Sequence, residues 1–163
     1  MVVLKWLLIV IALLLALLLL AGQLGLLKGT PPAKLGVREG KLKPPSRTPN
    51  SVTSQAALYP DHPMRAYAEI APLALKRDGP ATLAQIKAIV DGMAGAAVIR
   101  SEPDYLYVQF TTQLMKFVDD TEFWFDPAAG VIQVRSASRV GRGDRGMNRA
   151  RIETIRARLA AAP

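Results

Sequence analysis

The sequence has no cysteine, which removes disulfides, thiolate nucleophiles and thiolate metal sites together. It has one histidine, His62, set in Tyr59-Pro60-Asp61-His62-Pro63-Met64. Flanked by prolines, this residue suits a surface turn, and without a second histidine the usual zinc set cannot form. No recognisable catalytic or cofactor motif is present, so no metal and no cofactor are expected. Acidic residues are scarce as well, 13 against 21 lysines and arginines, for a formal net charge of +8. That excess is unevenly placed. Residues 1–43 hold six basic residues against Glu39, a net +5, and residues 135–158 hold eight arginines against Asp144 and Glu153, a net +6. The remainder is −3. A basic footprint over the whole surface is missing, which argues against nucleic acid as a partner.

Charge is absent altogether from Trp6 to Leu27, 22 residues of mostly Leu, Ile, Val and Ala. About 20 apolar residues span a bilayer core, so residues 1–27 read as a single-pass, N-terminal transmembrane anchor. A signal peptide would carry an apolar region of only about 7 to 15 residues ending in a small-x-small cleavage site. Leu18-Leu19-Leu20-Ala21-Gly22 offers no convincing one. Orientation is contested by two signals. Lys28, Lys34, Arg38, Lys41 and Lys43 follow the span, which by the positive-inside rule leaves the domain in the cytoplasm. A short tail with only Lys5 ahead of the apolar run is also how exported, anchored proteins begin, and the balance tips slightly to the extracytoplasmic side.

Residues 28–60 contain Pro31, Pro32, Pro44, Pro45, Pro49 and Pro60. Proline at that density prevents helices and central strands, so an extended arm is expected. Its basic residues lie just beyond the span, where each would gain about 1 kcal/mol from anionic lipid; a solvated linker fits the same composition. Residues 61–163 then read as one α+β soluble domain: a small antiparallel sheet of about four strands packed with two helices. The first helix runs over about residues 81–93, with Pro80 in its first turn and Leu83, Ile86, Val90 and Met93 on one stripe. Strands follow over 97–100, 105–112, 117–125 and 131–137, the last two joined as a hairpin around Asp126-Pro127-Ala128-Ala129-Gly130. Period two puts Asp120 and Glu122 on one face of the hairpin and Asp119 and Thr121 on the other. The final helix spans about 147–159, with Asp144 as its cap. Asn148, Ile152, Ile155 and Leu159 share its core-facing stripe, while Arg149, Glu153 and Arg156 lie on an outer, solvated face.

Several segments together resemble a known family: Leu35-Gly36-Val37, Pro49-Asn50-Ser51-Val52-Thr53-Ser54, Phe117-Val118-Asp119-Asp120 and Ile132-Gln133-Val134-Arg135-Ser136-Ala137-Ser138-Arg139-Val140-Gly141, then Asp144 and Asn148-Arg149. The chain resembles the domain-of-unknown-function family numbered 1499 over about residues 35–158. The resemblance brings no established activity. Members of that family often carry cysteines in a pattern like Cys-Pro-x-x-Pro-Asn-Cys; Pro45 and Ser51 stand at the corresponding places here, so any thiol or metal role of that motif does not transfer.

The stretch Arg135–Arg151 concentrates Arg, Gly, Ser and Asn, a mixture that no hydrophobic core needs. Arg135, Ser136, Ser138, Arg139, Asn148 and Arg151 are the candidate ligand-binding residues, since guanidinium, hydroxyl and helix-start amides suit phosphate or carboxylate. Three functions follow. The first is a membrane-anchored binding module for an anionic small molecule, a lipid head group or a partner protein. The second is an enzyme using Asp119 or Asp120 as acid or base, with Arg139 holding an oxyanion. The third is a scaffold or assembly factor in which the arginines only pair with Asp119, Asp120 and Glu122. Whether those acids neutralise the arginines decides among them.

Overall fold

The computed structural model describes residues 2–162. Helix α1 (Val2–Gln23) is uniformly apolar apart from Lys5 and its last residue. It is long and apolar enough to cross a membrane, about 33 Å at 1.5 Å per residue. Only Gly22 in it is buried. The reason is a close approach: a Cβ at Gly22 would lie 3.0 Å from the carbonyl oxygen of Met115. Next to it, the Gln23 amide donates to the Leu114 carbonyl at 2.8 Å. The end of the apolar helix is thus fastened to one loop of the folded domain.

That domain is an antiparallel sheet. Strands β1 (Ser51–Thr53), β2 (Leu73–Ala74), β3 (Ala96–Ser101), β4 (Tyr105–Thr111), β5 (Val118–Asp126) and β6 (Val131–Ser138) are ordered β1-β6-β5-β4-β3, with β2 also pairing to β6. Four of the six match the strands expected from sequence. The two additional strands are three and two residues long, too short for period two to show, and they exist because β6 offers its free edge. The β5–β6 hairpin closes where Asp126 accepts from the amides of Ala128 and Ala129, both at 3.1 Å.

Helix α2 (Arg65–Ala68) is a single turn, and α3 (Gly79–Asp91) and α4 (Met147–Ala161) cover one face of the sheet. Asp78 caps α3 by accepting from the Ala81 amide at 2.7 Å, and Pro80 occupies the first turn, where no donor is missed. Leu83, Ile86 and Val90 of α3 and Ile152, Ile155 and Leu159 of α4 meet Leu106, Val108, Phe110, Phe123, Ile132 and Val134 of the sheet. Each such side chain contributes about 1.5 to 3 kcal/mol by leaving water.

The opposite face is covered by the proline-rich arm. Leu42 is buried against Tyr105, Tyr107 and Trp124, with Leu35 and Val37 beside it. Specific bonds hold the arm down: the Leu42 amide donates to the Gln55 side chain at 2.8 Å, and the Ser46 amide to Ser51 Oγ at 2.8 Å. The sheet is therefore the middle of three layers.

Gly95 sits at φ +75°, and a Cβ there would lie 2.2 Å from the Thr111 backbone oxygen. Gly95→Ala is expected to cost about 3 kcal/mol, lowering the melting temperature by about 6 to 12 °C. Gly130→Ala, also at positive φ (+65°) but with nothing near its Cβ, is expected to cost only about 1 kcal/mol. Thermal melts of the two variants check the difference.

Candidate functional site

Adjacent residues of a strand face opposite ways, so the candidate residues separate into two groups on the two sides of the sheet. On the helix side lie Asp119, Ser136, the Ser138 hydroxyl, Asn148 and Arg151. On the arm side lie Asp120, Glu122, Arg135 and Arg139. The single cluster expected from sequence is two clusters back to back.

The helix-side group is a closed network. Asn148, fully buried, accepts at Oδ1 from Ser136 Oγ (2.5 Å) and Arg151 Nη1 (2.8 Å). Its Nδ2 donates to the Asn50 carbonyl (3.2 Å), Ser138 Oγ (3.0 Å) and Asp144 Oδ2 (2.8 Å). A buried amide without partners would cost about 1 to 3 kcal/mol, and here both ends are used. Arg151 Nη2 meets Asp119 Oδ2 at 2.6 Å, and its guanidinium lies 4.4 Å over the Phe110 ring. Asn50 in turn donates to the Gly141 carbonyl at 3.0 Å, tying the arm to the loop before α4.

Asp144 does act as the cap of α4, from two residues ahead of Gly146: it accepts from the amides of Gly146 and Asn148, both at 3.0 Å, and from Tyr67 Oη at 2.6 Å. Burial pushes its carboxyl up, but the bonds from Tyr67, Asn148 and Gly146 outweigh this and hold it below the ordinary carboxylate value. The outer arginines correct the sequence expectation of a solvated face. Arg149 Nη2 donates to the Tyr67 and Glu69 carbonyls (2.6 and 2.9 Å), and Arg156 to those of Pro72 and Ala71 (2.6 and 2.7 Å). They clamp residues 67–72 onto α4. Unpaired carbonyls of an irregular segment leave no pattern in a sequence, so this role was not legible.

The arm-side group is different. Asp120 is held bidentately by Arg139, Nε to Oδ2 at 2.8 Å and Nη2 to Oδ1 at 2.7 Å, and also accepts from Tyr107 Oη. The bond to Asp120 is the main cause of a raised Arg139 value. Burial, followed by the bond to Asp120, raises Tyr107. Glu122, 0% exposed, accepts at Oε1 from the Gly36 amide and Tyr105 Oη, both at 2.7 Å. Its Oε2 is buried without a hydrogen-bond partner, and the Arg135 Nη1 atom stops 3.8 Å away.

Arg135 is the exception in this network. Its side chain is 7% exposed, yet its one hydrogen bond among the described residues runs from Nε to the Pro44 carbonyl at 3.3 Å. Burial pulls its guanidinium below the ordinary arginine value, against the opposing pull of Glu122 and Asp120. It borders a cavity of about 200 Å³ between arm and sheet, lined also by Lys43, Ser46, Asp120 and Arg139. Lys43, Ser46 and Glu122 were not among the candidate ligand-binding residues; period two, which puts Asp120 and Glu122 on one face of the hairpin, was a sequence sign that this face is polar. A larger cleft of about 440 Å³ lies between the end of α3 and α4, lined by two arginines: Arg151, which is taken by Asp119, and Arg158.

Fold and site together define a small α+β domain with a three-layer build, carried behind an apolar N-terminal helix and centred on buried arginine–carboxylate contacts. The family model described as "Protein of unknown function (DUF1499)" matches residues 41–159, and the chain belongs to that family. Neither the curated proteins nor the solved structures contain a match to it.

The lowered Asp144 value fixes a sign. A carboxylate held below its unfolded value near 3.8 contributes stability that is fully present above that pH and is lost as pH falls through the folded value. Asp144→Asn is therefore expected to lose stability at neutral pH, and the gap to wild type is expected to shrink as pH falls below about 4. Urea unfolding at a series of pH values measures that gap.

Proposed function

We propose that the protein is a membrane-anchored module that binds a small phosphate- or carboxylate-bearing group in the cavity between its arm and its sheet. One observation carries this: Arg135 is a buried cation whose Nη atoms make no hydrogen bond among the described residues, its carboxylate neighbour Glu122 stands 3.8 Å away, and it borders a polar cavity. A buried charge without full partners is costly, and an anion seated there would supply them. Lys43 and Ser46 stand on the arm side of the same cavity, so the ligand would be held from both layers. The cavity volume admits a head group rather than a drug-sized molecule.

The catalytic alternative loses support from the same geometry. Asp119 and Asp120 are each held by an arginine, at 2.6 and 2.7 Å, so neither is free to take a proton from a substrate. Those two pairs favour a structural role for Arg139 and Arg151. The anchor is supported by the contact of Gly22 and Gln23 with residues 114 and 115: a leader that is cut away would have no use for it.

The test is thermal unfolding of the full chain with inorganic phosphate or acetate against chloride at matched ionic strength. Saturating ligand is expected to raise the wild-type melting temperature by about 5 °C. Arg135→Gln is expected to abolish that rise and Lys43→Gln to reduce it. Arg151→Ala, altered on the other side of the sheet, should melt earlier but keep the rise. An equal response of wild type and Arg135→Gln would overturn the proposal.

A further inference from the structure

Around the exit of α1 the domain surface has a composition unlike the rest. Leu114 is 62%, Met147 58% and Val140 40% exposed, and Leu24 and Leu26 beside them 67% and 72%. These residues come from three separated segments brought to one place. Residues 112–117 form the loop that receives Gln23, a Cβ on Gly29 would meet Val140 at 2.6 Å, and Val140 and Met147 flank one cleft of about 310 Å³. Among them stand Lys28, Lys116, Arg142 and Arg145. None of these four has an ion pair or a side-chain hydrogen bond among the described residues. The carboxylates nearby are spent, Asp119 on Arg151 and Asp144 on Tyr67 and Asn148.

We infer that this end of the domain lies on the membrane surface, with Leu114, Val140 and Met147 entering the head-group layer and Lys116, Arg142 and Arg145 meeting anionic lipid phosphates. The occupant follows from two features of the patch. It surrounds the point where an apolar helix leaves the domain, so a bilayer crossed by that helix meets this surface first. Its unpaired charges are all of one sign, which suits anionic lipid, each cation near such a surface gaining about 1 kcal/mol. Apolar side chains interleaved with basic ones are also the composition of interfacial binding surfaces. The inference rests on the anchor part of the proposed function and is independent of the anion cavity.

The absence of cysteine makes single-cysteine spin labelling direct. The full chain is placed in nanodiscs of phosphatidylcholine, with or without phosphatidylglycerol, carrying one label at a time: Leu13→Cys, Leu58→Cys, Leu114→Cys, Val140→Cys or Met147→Cys. Electron paramagnetic resonance then compares collision with oxygen and with a water-soluble nickel chelate. Leu13 is expected to be lipid-immersed and Leu58 water-exposed. Labels at 114, 140 and 147 are expected to be shielded from nickel severalfold relative to Leu58 in anionic discs, and less in neutral discs or when Lys116→Gln, Arg142→Gln and Arg145→Gln are combined. A lipid-immersed Leu13 with water-like labels at the three sites overturns the docking and leaves the anchor standing. A water-exposed Leu13 overturns both, and shielding indifferent to lipid charge overturns anionic lipid as the occupant.

Discussion

Three carboxylates buried on one strand set the terms for this structure. β5 is the middle strand of the order β1-β6-β5-β4-β3, and Asp119, Asp120 and Glu122 on it are 6%, 1% and 0% exposed. A carboxylate removed from water is destabilising by several kcal/mol unless a partner and hydrogen bonds compensate. Because side chains alternate, the compensation must come from both sides at once. Arg151 supplies it from α4 for Asp119, Arg139 supplies it from the strand end for Asp120, and Arg135 with the arm supplies part of it for Glu122. Helix, strand extension and arm are each needed by an acid of the same strand.

This accounts for the way the arm is built. Despite its prolines, the arm adds the short edge strand β1 and a 3-10 turn at Ala56–Leu58, a correction to the wholly extended segment expected from sequence; elsewhere it lays single amides and carbonyls against fixed polar groups. The Gly36 amide on Glu122, the Pro44 carbonyl on Arg135 and the Ser46 amide on Ser51 are contacts of that kind. Ser51 is 1% exposed and stands where members of the resembled family often carry a cysteine, one of a pair whose other position is Pro45 here. Its hydroxyl receives the amide of Ser46, the residue after Pro45, so a hydrogen bond holds the arm close to the two positions. The absence of sulfur is compatible with an ordered arm for that reason.

The regular elements were legible in the sequence because their periods were long enough to repeat. Tyr105–Thr111 and Val131–Ser138 alternate over seven and eight residues, and the Leu83, Ile86, Val90 stripe spans two turns of helix. In the structure, alternation along β6 sets Arg135, and Arg139 just past its end, apart from Ser136 and Ser138. What parity could not show was that Asn148 and Arg151 join only the second group, since that depends on which side α4 packs. Nor did any pattern announce that the arm covers the other face, or that Arg149 and Arg156 grip backbone carbonyls of residues 67–72. Those roles depend on irregular segments, whose free amides and carbonyls are the same in every sequence.

The structural role of Arg139 and the binding role proposed for Arg135 are compatible within one network. Glu122 spends Oε1 on the Gly36 amide and Tyr105, and its Oε2 stays 3.8 Å from Arg135. Arg135 spends Nε on the Pro44 carbonyl, and its Nη atoms make no hydrogen bond among the described residues. The strand and the arm beside that 3.8 Å contact are fixed by Asp120 to Arg139 on the strand and by Ser51 and Gln55 on the arm. The satisfied Asp120–Arg139 pair thus sits beside the longer Arg135–Glu122 contact on the same face of the sheet. A rigid surround of this kind holds a long ion pair open, where a looser one would let the arginine collapse onto its carboxylate.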